Sequence, residues 1–139
     1  MALSKNEIVK FIDDFKVVNR DCVAGALQIY RGALINSDTS GNAKLASDAA
    51  SELFAGVAME EVTQAATASA ADNQVQLISK GSGRVVRLQL TGVTKASIGL
   101  KCYANGDDIV ALAATTTNDV EVGTIVDIDS VANYCWVQI

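Results

Sequence analysis

The feature that most constrains the fold is a period of two in the hydrophobic pattern of the C-terminal half. Alternate residues of a strand point to the same side of a sheet, so this period predicts strands with one buried face. Three stretches show the pattern. Their expected core-facing residues are Val86, Leu88 and Leu90 in RVVRLQLT, Ile98, Leu100 and Cys102 in ASIGLKCY, and Val120, Val122, Thr124, Val126 and Ile128 in DVEVGTIVDID.

Clusters of small and polar residues separate these stretches. They are NSDTSGN at 36–42, KGSG at 80–83, ANGDD at 104–108 and TTTND at 115–119. Short strands with turns at this spacing are typical of all-β folds. The sequence therefore predicts a mainly β protein, an antiparallel barrel or sandwich of short strands.

The NGDD stretch at 105–108 resembles a metal-binding loop but is better explained as a turn. A calcium loop needs oxygen ligands at alternating positions and a later glutamate, and neither follows here. Asn-Gly between apolar strands instead predicts a tight hairpin in which both residues have positive φ. We expect Asn105 and Gly106 to turn the chain, with Asp107 and Asp108 in solvent.

The N-terminal segment has a helical period instead. Ser4 and Glu7 have the spacing of a capping box, and the pattern continues to about residue 18. This amphipathic helix implies two parts, an N-terminal segment or arm at 1–24 and a β-rich domain at 25–139. Its apolar stripe must be buried, either against a partner as an attachment element or in an open end of its own barrel as a plug. The stripe consists of Ile8, Phe11, Ile12 and Phe15.

Composition argues against most catalytic chemistry. The chain of 139 residues contains no histidine, which removes the commonest general base and metal ligand. Its three cysteines, Cys22, Cys102 and Cys135, are widely spaced and form no CxxC pair, so buried reduced thiols are expected. The loop around Lys80 lacks the spacing of a phosphate-binding loop. We expect no enzyme, no cofactor and no metal.

Charge and hydropathy also limit the partners. The net charge of −5 opposes nucleic-acid binding. No apolar run reaches the roughly 20 residues of a membrane span, and the N-terminus has no signal-peptide pattern. The expectation is a cytosolic product with no direct contact to nucleic acid or membrane.

The last strand, in ANYCWVQI, carries the candidate interaction residues. Cys135, Val137 and Ile139 share the expected core face, so Tyr134 and Trp136 point the other way. Two explanations are open: the strand is buried on both sides, or the aromatic pair forms a subunit or partner interface, where Trp and Tyr are enriched.

The order of these strands and turns resembles a known family between Leu27 and Ile139. A basic-Gly turn in IYRGALINSDTSGN is followed by a FAGVA strand, by VQLISKGSGRVVRLQLTG, by SIGLKCYANGDDIVAL and by a terminal VGTIVDIDSVANYCWVQI. This arrangement is similar to the small cement, or head decoration, proteins of tailed bacteriophages. The N-terminal helical segment lies outside the resemblance.

The resemblance implies a structural protein of the virion. Such proteins are made in the host cytoplasm, bind the outer surface of the assembled head and stabilise the capsid lattice, often as trimers. The expected partners are the major capsid protein and further copies of the chain as a homotrimer, with Tyr134, Trp136 and the N-terminal stripe as interface residues. Two other classes stay open: a tail- or fibre-associated virion domain, and a non-catalytic β-barrel that binds a small ligand.

Overall fold

Residues 17–139 are described by the structure, a computed structural model. They form short strands and two 3₁₀ turns, Lys95–Ser97 and Ala113–Thr115, which confirms the mainly β class. The strands are β1 Val17–Asp21, β2 Leu27–Ile29, β3 Leu34–Ser37, β4 Ala43–Leu45, β5 Leu53–Ala58, β6 Val62–Gln64, β7 Gln74–Ser79, β8 Val85–Gln89, β9 Lys101–Ala104, β10 Val110–Ala111, β11 Glu121–Asp129 and β12 Tyr134–Gln138.

The strands form two larger antiparallel sheets and one small one. Sheet A has the order β1-β7-β5-β3-β4, and sheet B has the order β10-β9-β11-β12-β8. Strands β2 and β6 form the small sheet. A parallel bridge from Cys22 to Ala43 draws the two edges of sheet A toward each other. Sheet A is therefore curved into a half-barrel.

Two apolar cores lie on opposite faces of sheet A. The first is shared with sheet B, because Leu34 and Val57 of sheet A belong to one cluster with Val122 and Val137 of sheet B. The second lies on the concave face of the half-barrel, under the small sheet. It contains Ile35, Val75 and Leu77 of sheet A together with Ile29 of β2, Val62 of β6 and Cys22.

The start of β1 corrects the expected end of the N-terminal helix. Val17 and Val18, which the helical pattern included, are extended and pair with Ile78 and Leu77 of β7. Consecutive β-branched residues favour a strand, so the helical period ends before them. The rest of the predicted helix lies outside the described residues.

Strand β8 confirms the period-two prediction. Leu88 and Leu90 are buried and Val86 is half-buried, whereas Arg87 is exposed. All five residues of β8 pair with β12 in unbroken register. Because no residue is inserted, alternate residues of the sequence lie on the same face of the sheet.

Strand β11 departs from the predicted alternation in its middle. Val120 and Val122 are buried as expected, but Thr124 is half-buried, Ile125 is fully buried and Val126 is 40% exposed. The expectation that Thr124 and Val126 face the core is wrong.

Two β-bulges cause this departure. Glu121 pairs with Tyr103 and Gly123 with Cys102, so one extra residue is inserted between them and the core face shifts by one position. A second irregularity in the pairing with β12, between Ile125 and Asp127, reverses the shift. Ile128 therefore packs against the core again, as predicted.

The expected strand in ASIGLKCY is shorter than predicted. Residues 95–97 form a 3₁₀ turn and the strand begins only at Lys101. Cys102 is fully buried as expected, but Ile98 is 44% exposed and Leu100 is 48% exposed. Placing Ile98 and Leu100 on the core face was wrong because a strand period does not apply to the turn.

Strands β9 and β10 form the predicted hairpin, with a different turn. Ala104 pairs with Val110, and the amide of Asn105 donates to the carbonyl oxygen of Ile109 at 3.0 Å. Neither Asn105 nor Gly106 has a positive φ, so the tight turn expected from Asn-Gly is wrong. The loop is longer than the expected two-residue turn, and its Asp107 carbonyl oxygen accepts a hydrogen bond from the Leu34 amide at 2.6 Å, which joins the loop to β3.

The predicted turn at 36–42 begins too early. Asn36 lies in β3 and is fully buried, and its side-chain amide donates to the Ser47 carbonyl and to Glu52, each at 3.0 Å. The turn itself is held by Asp38, whose Oδ1 accepts from the amides of Ser40 and Asn42 at 2.9 Å. The composition predicted Asn36 in a turn because the sequence does not show that this polar side chain has buried hydrogen-bond partners.

Candidate interaction surface

Strand β12 presents two aromatic side chains on the outer face of sheet B. Cys135 and Val137 point inward and are fully buried, which confirms the core face expected for this strand. Tyr134 and Trp136 point away from the core and are half-buried. Among the described residues the outer face of β12 is therefore open to solvent, not buried on both sides.

Cross-strand neighbours hold both rings in place. Trp136 is paired with Arg87 of β8 on one side and with Asp127 of β11 on the other. The guanidinium carbon of Arg87 lies 3.9 Å from the centroid of the Tyr134 ring. A cation–π contact at an exposed site contributes about 0.5–1 kcal/mol. The aromatic pair is therefore held on a hydrogen-bonded sheet rather than on a loop.

Apolar side chains extend the surface around Trp136. Val85, at the edge of sheet B, is 51% exposed, and Val126, at the second bulge of β11, is 40% exposed. We call Val85, Arg87, Val126, Tyr134 and Trp136 the outer-face patch. Aromatic residues and arginine, framed by exposed apolar side chains, are enriched in protein interfaces.

The 3₁₀ turn before β9 adds exposed apolar area next to this patch. The Gly99 amide donates to the Ile125 carbonyl at 2.8 Å, and the Ile125 amide donates to the Leu100 carbonyl at 2.9 Å. These bonds hold the exposed side chains of Ile98 and Leu100 beside the bulge at Val126. Several exposed apolar side chains close together in the fold are a candidate interaction site.

An exposed ion pair borders this surface on β9. Lys101 Nζ lies 2.9 Å from Glu121 Oε2. The hydrogen bond between them raises the pKa of Lys101 and lowers the pKa of Glu121. Both groups are solvent-exposed, so the pair contributes little to stability and mainly orients the side chains.

The three thiols are poor nucleophiles. All are buried and unpaired. Burial raises the pKa of Cys102 to about 12 and that of Cys135 to about 11, and it also raises the pKa of Cys22. The reactive species is the thiolate, which is scarce at neutral pH for thiols with such pKa values.

One groove on the surface has a mainly apolar lining. The groove beside the Asn105 loop has a volume of about 340 Å³, and its lining, which includes Leu90, Ile109 and Leu112, contains no ionisable side chain. Within residues 17–139, no group of three or more Cys, Asp or Glu side chains is placed to hold a metal ion. Over the same residues, no helix is long and apolar enough to cross a membrane.

The structure brings together only some of the residues predicted from sequence. Tyr134 and Trp136 lie on one face, whereas Ile8, Phe11, Ile12 and Phe15 lie outside the described residues. Sequence analysis missed Val85 and Val126 as surface residues and did not connect Arg87 with Tyr134. The outward direction of Arg87 could have been predicted from the alternation in β8. The exposure of Val126 depends on a bulge that has no clear sequence signal.

Comparisons with known proteins add no relative. No protein-family model, no curated protein and no solved structure matched the chain.

Proposed function

We propose that this chain is a structural virion protein that binds the outer surface of an assembled phage head and stabilises the capsid lattice. The observation that carries the proposal is the outer-face patch, in which Tyr134 and Trp136 stay accessible on a sheet whose other side is core. The order of motifs between Leu27 and Ile139, which resembles cement proteins, supports the capsid as the partner.

The patch is suited to docking on a rigid surface. Its side chains lie on β8, β11 and β12, which are joined by continuous antiparallel pairing. A prearranged surface loses little conformational entropy on binding. Fully burying one large aromatic side chain contributes on the order of 2 kcal/mol, so Trp136 is the expected centre of the contact.

Stabilisation of the lattice follows from linkage. A protein that binds the assembled lattice but not its separate subunits shifts the equilibrium toward the lattice. Copies joined as a homotrimer hold several subunits at once, which raises the effective concentration of each contact. The proposed partners are therefore the major capsid protein and two further copies of this chain.

The proposal assigns no catalytic role. Its location is the capsid exterior, after synthesis in the host cytoplasm, and it requires no cofactor and no direct contact with nucleic acid or membrane. The absence of histidine and the raised thiol pKa values support this assignment.

Thermal stability of heads tests the proposal. Heads of the virus that encodes this chain, stripped of it and then reconstituted with purified protein, should release DNA at a higher temperature than stripped heads. Reconstitution with the Trp136→Ala variant should restore less of that stability. Equal release temperatures with and without the wild-type protein would contradict the proposal.

One observation favours an alternative, a module that binds a small apolar ligand. The groove beside the Asn105 loop has the size and apolar lining of a small ligand site. Saturable binding of an apolar fluorescent probe, abolished by Leu112→Asp and unaffected by Trp136→Ala, would support this alternative.

A further inference from the structure

A polar cluster lies in sheet A where β3 pairs with β4. Asn36 and Lys44 are directly opposite each other in that pairing, so their side chains lie on the same face of the sheet. Glu52, the residue before β5, completes the cluster. Asn36 is fully buried, and the side chains of Lys44 and Glu52 are 36% and 10% exposed. The cluster is therefore largely shielded from water.

The Glu52 carboxylate holds both of its neighbours. Oε1 accepts from Nζ of Lys44 at 2.5 Å, and Oε2 accepts from Nδ2 of Asn36 at 3.0 Å. Nδ2 also donates to the carbonyl oxygen of Ser47 at 3.0 Å, which fixes the orientation of the amide. One carboxylate thus brings a primary amine and a carboxamide together, with a proton acceptor in contact with both nitrogen atoms.

The carbonyl group of the same amide has no partner. Oδ1 of Asn36 is buried and accepts no hydrogen bond from the described residues. Buried polar atoms without a partner are uncommon in folded proteins, and a reactive role is one recognised cause. The cluster contains the parts of an acyl transfer, which are an amine nucleophile, a base in contact with it and a carbonyl carbon.

We propose that Lys44 and Asn36 form an intramolecular isopeptide bond, with Glu52 as general base and general acid. Glu52 takes a proton from Nζ, and the neutral amine attacks Cγ of Asn36. The bond from Nζ to Cγ forms and the bond from Cγ to Nδ2 breaks. Glu52 delivers its proton to Nδ2, which leaves as ammonia. The second proton that Nζ loses passes to Glu52 and from there to ammonia or water.

The bond ties β4 covalently to β3. Glu52 and Ser47 belong to the segment between β4 and β5, so the reactive groups meet only when this segment has closed over β3 in the folded chain. The outer-face patch lies on sheet B and takes no part. The inference does not rest on the proposed capsid role, since it concerns the isolated protein.

Peptide mapping of the full chain tests for the bond directly. Cleavage before Asp38 and Asp48 separates Asn36 from Lys44, so the bond joins peptides 21–37 and 38–47. The joined pair should be lighter than the sum of the two peptides by the mass of one ammonia, and it should be the main form after storage of folded protein at neutral pH. Recovery of the two peptides only as separate species would overturn the proposal.

Substitutions test the role of the carboxylate. Glu52→Gln keeps the size of the side chain but removes the base, and it should slow formation of the joined pair by about a hundredfold or more. Lys44→Arg keeps the positive charge beside Glu52 but is not a nucleophile, so it should give no joined pair and serves as the unlinked reference.

Glu121→Gln is the matched control, because Glu121 accepts from a lysine in an exposed ion pair on sheet B. It should leave the yield of the joined pair unchanged. Formation at the wild-type rate in folded Glu52→Gln would overturn the assigned mechanism, as would an equal loss in Glu52→Gln and Glu121→Gln.

Discussion

Gly123 lies where β11 passes closest to the end of β12. A Cβ at this position would overlap the carbonyl oxygen of Gln138 and lie 2.9 Å from Cγ1 of Val137. The absence of a side chain lets the first bulge form, and that bulge turns Ile125 into the core. Gly123 thus contributes, through the first bulge, to which side chains in the middle of β11 reach the outer face.

Gly123→Ala is therefore expected to destabilise the protein by about 1–3 kcal/mol, because the added methyl group must displace the backbone of β12. Gly106→Ala is the matched control, because a Cβ there meets nothing closer than 3.9 Å and its φ is not positive. It should change stability by less than about 0.5 kcal/mol. Urea unfolding measures the stability of both variants. A large loss for Gly106→Ala would instead support the tight Asn-Gly turn expected from the sequence.

The buried thiols give a second prediction at this scale. Because their pKa values are raised to about 12 and about 11, Cys102 and Cys135 hold almost no thiolate at pH values near 8. A disulfide reagent should label neither residue in the native protein and both residues in urea, as followed by mass spectrometry. Rapid native labelling of Cys135 would contradict its position in the core.

At the scale of elements, one carboxylate holds the loop before β11. Oδ2 of Asp48 accepts from the Thr117 amide at 2.7 Å, and Oδ1 accepts from the Asn118 amide at 2.8 Å. These backbone hydrogen bonds lower the pKa of Asp48 below its ordinary value. The loop is thus connected to a segment about seventy positions earlier in sequence, a contact that no local pattern predicts.

The lowered pKa of Asp48 sets the direction of a pH effect. The folded state favours the carboxylate, so the loop contacts are fully present above the ordinary aspartate pKa of about 3.9 and are lost as the pH falls through the lower folded value. The protection of the Thr117 and Asn118 amides, relative to the intrinsic exchange rate at each pH, should therefore fall on that acidification. Asp48→Asn should show fast exchange already at neutral pH.

Asp38→Asn is the control for this effect. Asp38 accepts two backbone amides in a different loop, at Ser40 and Asn42. Its substitution should leave the exchange at Thr117 unchanged. Exchange at Thr117 that is independent of Asp48 at every pH would contradict the assigned role.

Strand β12 separates the proposed binding face from a core face, and adjacent substitutions distinguish the two. Trp136→Ala should weaken assembly or head binding more than it weakens the fold, because the side chain is only half-buried. Val137→Ala removes fully buried methyl groups and should instead cost about 1–3 kcal/mol of folding stability. Urea unfolding and binding to heads measure the two effects. If Trp136→Ala unfolds the protein while wild type is a monomer that binds heads, Trp136 belongs to the core.

For the whole molecule, the sequence predicted the fold class and the inward face of the last strand but not the arrangement of the sheets. In β8 and β12 the alternation is unbroken, and it correctly predicted the burial of Leu88, Cys135 and Val137. Alternation failed in β11, because bulges depend on the paired strands. It also failed at Leu100, because the strand begins only at Lys101, after a 3₁₀ turn at 95–97. The pairing of strands that are distant in sequence cannot be seen in the local hydrophobic period.

The same limit applies to the candidate surface. The outward direction of Tyr134 and Trp136 followed from alternation, but the cation–π contact of Arg87 required the register between β8 and β12. Sequence predicted which side chains would be available, and tertiary pairing determined which of them meet.

Co-sedimentation with virus heads tests the central claim most directly. Under the proposed function the chain is encoded by a phage. Purified protein is mixed with stripped intact heads of that phage, and in parallel with dissociated capsid subunits, and is centrifuged at several protein concentrations. The account predicts saturable co-sedimentation with intact heads, weaker for Trp136→Ala, and no binding to separate subunits. Wild-type protein that stays in the supernatant with intact heads, at concentrations where it is folded, would contradict the account.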